Sequence, residues 1–213
     1  MSSRYLLPSS VALSFFFLIS GCARENDTVT DEDAEEADGT STQVDGVEGD
    51  VSEARQLVTQ ARAVIEPLVN AGPSGTVTFA PSDLGMQVTY MLDGLSAGAY
   101  GFHVHENGSC ADGDDGVPGG AAGGHFNPGD TVHGAPNLPA GRRHMGDLGN
   151  VHAVSDQQIL GSFNESIASL EGPQSIVGKA LMIHAGEDDF TTQPTGNAGP
   201  RIGCGVIIPA EAS

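Results

Sequence analysis

The sequence contains few basic residues, few aromatic residues and no Trp. Its 213 residues include 8 Lys and Arg against 28 Asp and Glu, which gives a formal net charge of −20 at pH 7. Because phosphate contacts need clustered Lys and Arg, this composition excludes a nucleic-acid-binding surface. The net charge by itself also argues against an enzyme that acts on anions. With 30 glycines and 12 prolines, long helices cannot dominate the fold.

The N-terminal apolar run is too short to cross a membrane. It covers residues 11–19 and follows Arg4, whereas a bilayer needs about 20 apolar residues. The run is typical of a secretory signal, and its ending, Ile19-Ser20-Gly21-Cys22, resembles the bacterial lipobox. We therefore predict a signal peptide over residues 1–21 and a mature chain that is anchored to a membrane by lipid on Cys22. An ordinary secretory signal with an incidental cysteine is the alternative.

An acidic segment separates the signal from the rest of the chain. Residues 24–50 include 11 acidic residues and one Arg. They contain too few apolar side chains to offset the loss of chain entropy on folding, so we predict a disordered tether. Residues 50–53 resemble a capping box, and apolar residues then recur at helical spacing, which predicts a short helix over 51–60. The chain then divides into the signal (1–21), a lipidated tether with this helix (22–60) and a folded domain (61–213).

The folded domain has the pattern of an all-β protein. Short β-rich runs, separated by Gly, Pro, Asp and Ser, lie at residues 75–80, 86–92, 99–105, 177–184 and 205–208. Such runs predict an antiparallel sandwich or barrel. Residues 106–146 and 186–203 have almost no strand pattern, and loops of that length in a compact domain are usually functional.

All seven histidines lie between His103 and His184. His103 and His105 point to the same face of a predicted strand, because side chains alternate along a strand. The sequence adds further candidate ligands: His125, His133, His144, Asp147 and His184. Six histidines and a carboxylate exceed one tetrahedral site and indicate two adjacent metals, with all-nitrogen ligation suited to copper and a mixed set suited to zinc. A zinc hydrolase of the His-Glu-x-x-His type has no match in the sequence.

Five ordered motifs resemble those of the copper-zinc superoxide dismutase family in its extracytoplasmic bacterial form. They are GFHVHE (101–106), GHFNP (124–128), VHGAP (132–136), RHMGDLGNV (143–151) and GNAGPRIGCG (196–205). The resemblance implies an eight-stranded Greek-key β-barrel or sandwich, immunoglobulin-like, with long metal-binding and electrostatic loops. It also puts the first strand near residues 61–69, where Pro67 would need an edge or a bulge.

The resemblance implies a role for each candidate residue. Copper is bound by His103, His105, His125 and His184, and zinc by His125, His133, His144 and Asp147. Arg201 lines the copper channel and, with His125, takes part in catalysis, while Asp188 links a copper histidine to a zinc histidine, with Asp189 as the alternative. Cys110 and Cys204 form a disulfide, which agrees with the cysteine count once Cys22 carries lipid. His152 lies outside the motifs and is expected to be an ordinary strand histidine.

The implied function is dismutation of two superoxide anions to oxygen and hydrogen peroxide by copper that cycles between Cu(II) and Cu(I). Each subunit would hold one copper and one zinc, the zinc being structural and tuning. A non-catalytic metal-binding module or copper carrier on the same fold is the alternative, and an interaction module on a lipid tether is a third. The expected partners are superoxide and a bacterial membrane, on its periplasmic or cell-surface side. The oligomeric state is either a monomer or a homodimer.

Two departures from the family pattern concern the channel. Extra residues, including the glycine-rich 119–124, lie between Cys110 and His125, and the segment from His184 to Arg201 carries no lysine. Pro194 stands near the position of a family lysine that attracts superoxide, so weaker electrostatic steering is expected. Two dicationic metals and Arg201 would nevertheless reverse the acidic potential locally.

Overall fold

A computed structural model describes residues 57–156 and 158–210 of the chain. This part contains nine strands: β1 (Gln60–Pro67), β2 (Ser74–Ser82), β3 (Gly85–Asp93), β4 (Gly98–His105), β5 (Asp147–Ala153), β6 (Ile159–Glu165), β7 (Ala180–His184), β8 (Arg201–Val206) and β9 (Ile208–Ala210). Its helical structure consists of two 3₁₀ turns, Gly120–Ala122 and Gly172–Gln174. Within these residues, no helix is both long enough and apolar enough to span a bilayer.

The strands form one antiparallel sheet that curls into a nearly closed barrel. Its hydrogen-bonded order is β5-β4-β7-β8-β1-β2-β3-β6, and the two end strands, β5 and β6, contact each other. The order departs from chain order where β3 leads to β4 and β6 leads to β7, as in a Greek key. β9 continues β8 after Ile207, and both pair with β1. The predicted eight-stranded all-β fold is therefore confirmed, with β9 as the detached end of the eighth strand.

Alternation of side chains explains why these segments form strands. In β1, Ala61, Ala63 and Ile65 are buried in the core, while Arg62 and Val64 point outward. This pattern, together with pairing to β2 and β9, outweighs the helical spacing of the preceding residues. The helix predicted over 51–60 is wrong at its end, because residues 57–59 have no regular structure and Gln60 begins β1. Pro67 is the last residue of β1, and at the end of a strand the backbone N–H that proline lacks is not needed for pairing.

The N-terminal predictions lie outside the described residues. These are the signal peptide over 1–21, lipid on Cys22, the acidic tether, and the part of the helix over 51–56.

Two strands are buried on both faces, and this positions the site. In β4, Phe102 and Val104 point into the barrel core, so His103 and His105 point to the opposite face and are buried there. All five residues of β7 are buried. The two predicted loops lie between these strands and their neighbours: residues 106–146 contain no strand, and neither do residues 185–200. The second loop was predicted over residues 186–203, and its end is corrected: residues 201–203 belong to β8, which begins at Arg201.

Candidate metal centre

The fold brings the candidate ligands together from three strands and one long loop. In the sheet, His103 is paired in register with Asp147 on β5, and His184 ends the adjacent strand β7. The loop between β4 and β5 carries His133 and His144, and its His125 forms an isolated bridge to His105. Residues far apart in the chain therefore meet on one face of the barrel.

The seven candidate ligands form two groups that share one residue. The four-histidine group consists of His103, His105, His125 and His184, and the histidine–aspartate group consists of His125, His133, His144 and Asp147. In each group one donor atom from every residue lies within 4.8 Å of the others, and all seven residues are buried. These are the same two sets that the family resemblance implies.

His125 presents a different ring nitrogen to each group. Its Nδ1 lies 2.8 Å from Asp147 Oδ1 and 3.4 Å from His144 Nδ1. Its Nε2, on the opposite side of the ring, is buried without a hydrogen-bond partner, and so is His103 Nδ1. Buried polar atoms are rarely left unpaired in proteins, so these two nitrogens are available as donors to a metal in the four-histidine group.

Backbone carbonyls orient the two outer histidines of the four-histidine group. The Nδ1–H of His105 donates to the carbonyl of Gly123 and that of His184 to the carbonyl of Gly199, each over 2.9 Å. The two Nε2 atoms then lie 3.4 Å apart. Burial lowers the pKa of His105 well below its ordinary value and that of His184 to about 3. Both rings are therefore neutral at physiological pH, the form that binds a metal.

Carboxylates hold the histidine–aspartate group. Asp147 Oδ1 lies 2.8, 3.0 and 3.2 Å from the Nδ1 atoms of His125, His133 and His144, and its Oδ2 accepts the backbone N–H groups of Gly134 and His144. Although burial raises the pKa of Asp147, the three histidines hold it well below its ordinary value. Burial likewise lowers the pKa of His133, but its carboxylate partners outweigh this effect and raise the pKa to about 9.

Asp188 joins the two groups. Its Oδ2 lies 2.8 Å from His103 Nε2 and its Oδ1 lies 2.9 Å from His133 Nε2. The Asn150 side chain fixes the backbone of Asp188 by donating to its carbonyl and accepting from its N–H. Gly196, at φ +67°, contacts the same carboxylate so closely that a Cβ at this position would overlap it. Asp189 accepts instead from Thr191 and Thr192, so Asp188 is the carboxylate between the histidines.

Arg201 lies at the four-histidine group and contacts the glycine-rich segment. It donates from Nη1 to the carbonyl of Gly119 and from Nη2 to that of Gly123 over 2.6 Å. The Gly123 carbonyl therefore accepts from both His105 and Arg201. The predicted disulfide between Cys110 and Cys204 is present and joins this loop to β8.

Comparison with known proteins decides the family. The model of the copper/zinc superoxide dismutase family matches residues 73–207. The chain belongs to the copper/zinc superoxide dismutase family.

Individual relatives agree with this assignment. A superoxide dismutase [Cu-Zn] of Deinococcus radiodurans is 40% identical over 63% of this chain and 76% of the relative. A superoxide dismutase [Cu-Zn] of Saccharomyces cerevisiae is 42% identical over 70% of this chain and 97% of the relative. Among solved structures, the crystal structure of the clock protein EA4 matches with a TM-score of 0.60 and 36% identity, covering 71% of this chain and 95% of that one.

Copper and zinc are the metals of this family, and the two groups fit them. Four nitrogen donors suit copper, while three nitrogens and one carboxylate oxygen make a closed tetrahedral set for zinc. The one remaining histidine, His152, lies exposed on β5 and belongs to neither group, as expected for an ordinary strand histidine.

The residues that support the histidine–aspartate group were not identified from the sequence. Arg143, fully buried, donates to both carboxylate oxygens of Glu165 over 2.8 and 3.0 Å and to the carbonyl of Asp147. The Gln193 side chain accepts the N–H of His133 and donates to its carbonyl. Arg143 and Asn150 stand inside a recognised motif, which is a signal of importance, but their partners in β6 and in the loop after β7 could not be identified from the motif.

Proposed function

We propose that this chain is a superoxide dismutase that holds one copper and one zinc per subunit. The observation that carries the proposal is His125, whose two ring nitrogens face two separate donor sets. His103, His105, His125 and His184 would bind copper, and His125, His133, His144 and Asp147 would bind zinc. The superoxide dismutases of Deinococcus radiodurans and Saccharomyces cerevisiae, each at least 40% identical, support the activity.

His125 is the residue that holds and releases a proton in this proposal. When bound, copper supplies one-electron chemistry by alternating between Cu(II) and Cu(I), which oxidises one superoxide and reduces the next. Nδ1 of His125 stays on the side of Asp147, so Nε2 is the atom that can gain or lose a proton. Burial lowers the pKa of His125 to about 4 in the metal-free chain, so the ring is neutral at physiological pH, the form that binds a metal.

Arg201 supplies the anion-binding group. Among the described residues its guanidinium donates only to Gly119 and Gly123, so three of the five guanidinium N–H groups remain for an anion. A guanidinium can hold a small anion through two donors at once. The net acidity of the chain does not oppose this role, because residues 24–50 account for about half of it and metal charges dominate the local field.

The zinc-side residues position His125 rather than react. Asp147 orients three histidine rings, and Asp188 connects one of them, His133, to His103 on the copper side. Such outer partners fix the tautomer and orientation of metal-binding histidines. Zinc bound here would keep His125 in place while its other nitrogen exchanges a proton.

The test is a dismutation assay on protein loaded with copper and zinc, with both metals quantified. We expect activity in the wild type and a loss of about a hundredfold or more in His125→Ala, because a proton-transferring metal ligand is removed. His152→Ala, an exposed histidine outside both groups, is the matched control and should retain full activity. Wild-type protein that carries both metals without dismutation would instead identify a metal-binding module or carrier.

We also propose that the chain is exported and anchored by lipid on Cys22 to a bacterial membrane, on its periplasmic or cell-surface side. The apolar run over 11–19 with its lipobox-like ending supports this location, and so does the Cys110–Cys204 disulfide, which is typical of oxidising compartments. Intact-mass analysis of protein from bacterial membranes should show a mature chain that begins at an acylated Cys22. An unmodified Cys22 or another first residue would contradict the proposal.

A further inference from the structure

A cavity of about 320 Å³ lies beside the four-histidine group. Among its lining residues, Gly123 and Gly199 are the two whose carbonyls orient His105 and His184. Arg201 lines the same cavity. A small anion held by Arg201 would therefore lie in or beside this space.

The extra loop contributes a carboxylate to the same cavity. Asp115 is exposed, lines the cavity with Arg201, and accepts the N–H of Val117 at its Oδ1 over 3.1 Å. In the part of the chain that the structure describes, no carboxylate lies within ion-pair distance of Arg201, whose bonded partners are the carbonyls of Gly119 and Gly123. Asp115 thus faces the cation across the cavity without pairing with it.

The loop that carries Asp115 is fixed to the site. The disulfide from Cys110 to Cys204 ties its start to β8, and a tight turn with hydrogen bonds between Gly113 and Val117 closes around Asp115. Its far end is held by Arg201 itself through Gly119 and Gly123. The carboxylate therefore stays near the guanidinium instead of moving freely in solvent.

The negative charge of Asp115 affects the pKa of Arg201. Burial lowers the pKa of Arg201, and the nearby Asp115 opposes this by favouring the charged form. A fixed negative charge on the wall of a cavity repels anions, and the effect is larger where low-dielectric walls focus the field. No lysine between His184 and Arg201 offsets it.

We infer that Asp115 sets the anion affinity of the Arg201 cavity, as a built-in negative charge that slows the entry of small monovalent anions. That superoxide is the natural anion rests on the proposed function. The extra loop thus tunes the rate, while Arg201 holds the anion.

The test compares Asp115→Asn with Asp114→Asn. Asp114 is also exposed, lies one residue away and does not line the cavity, so the two variants change the net charge equally. Azide, a small anion that ligates Cu(II), is titrated into the copper- and zinc-loaded proteins and followed by visible absorption, and dismutation is measured in parallel. For Asp115→Asn we expect azide affinity and dismutation rate to rise about two- to fivefold at low ionic strength. The gain should shrink as salt approaches 0.5 M, where screening is strong.

Three results would overturn the role of Asp115, and a fourth would overturn only the proposed function. Equal changes in the two variants would show an effect of net charge without a role for the cavity. An unchanged azide affinity in Asp115→Asn would show that Asp115 does not repel the anion. A gain that salt does not reduce would mean that the substitution acts by altering the loop. If the wild type lacks dismutation while Asp115→Asn still binds azide more tightly, the proposed function fails and the role of Asp115 stands.

Discussion

The two donor groups contain similar histidines but hold them in different ways. In the four-histidine group, the carbonyls of Gly123 and Gly199 accept from His105 and His184, and burial lowers the pKa of both rings. In the histidine–aspartate group, Asp147 and Asp188 flank His133 and raise its pKa to about 9. Two flanking carboxylates therefore keep the His133 ring charged in the metal-free chain, whereas buried His105 and His184, with carbonyl partners, are neutral.

This difference suits two tasks. The carbonyls fix the tautomers of His105 and His184 without adding a negative charge, and no carboxylate belongs to the four-histidine group, so a metal bound there would keep more of its positive charge for an incoming anion. A carboxylate ligand partly neutralises a metal in the other group and closes its coordination. The proposed function places catalysis at the four-histidine group and a structural role at the histidine–aspartate group.

Removing the disulfide should have the largest effect on stability and should act on the side of the four-histidine group. Cys110→Ser with Cys204→Ser opens a link that spans 94 positions. In the chain-entropy model this lowers the free energy of unfolding by up to about 4–5 kcal/mol, because the unfolded chain gains freedom. Unfolding of the metal-free double variant in denaturant measures this loss of free energy. The wild type with its disulfide reduced should show the same loss. Zinc binding should persist in the double variant, and unchanged stability would contradict the prediction.

Breaking the buried ion pair of Arg143 and Glu165 should act on the zinc side. Arg143→Leu leaves the Glu165 carboxylate buried without its partner and should reduce the free energy of unfolding by about 3–5 kcal/mol. Zinc affinity should fall as well, because Arg143 also holds the carbonyl of Asp147. Unfolding in denaturant and zinc titration measure the two effects.

Two variants serve as controls for this prediction. Arg142→Leu removes the adjacent, exposed arginine and should leave both quantities near wild type. Arg143→Leu combined with Glu165→Leu should recover part of the stability, since no unpaired charge remains. Full stability in Arg143→Leu alone would show that the pair does not support the zinc side.

Sequence alone predicted much of the fold because alternating patterns are local. Strands β2 and β3 follow their alternation closely, whereas β6 was not predicted and β1 was partly covered by a predicted helix. At β1, helical spacing before Ala61 competed with pairing to β2 and β9, and pairing depends on residues far away in the chain.

The site shows the same limit. The ligand sets follow from motifs with fixed spacing, and the structure groups the same seven residues. The pair Arg143–Glu165 joins a loop to β6, and its geometry is not encoded near either residue. Asp188 and Asp189 are adjacent and chemically identical, so only the direction of each side chain distinguishes them. Contacts between distant segments therefore had to come from the structure.

The smallest of the three effects predicted for the two groups tests the connection between them. Asp188→Asn keeps the shape of the side chain but removes the negative charge between His103 and His133, and the amide cannot accept from both rings at once. We expect the affinity for copper and for zinc to fall about 10- to 100-fold, the usual cost of losing such a partner. Asp189→Asn is the matched control, because this exposed carboxylate bonds only with its own turn, and competition titrations should leave both affinities unchanged. If Asp188→Asn weakened zinc alone, His103 would be held without this carboxylate and the two groups would be independent.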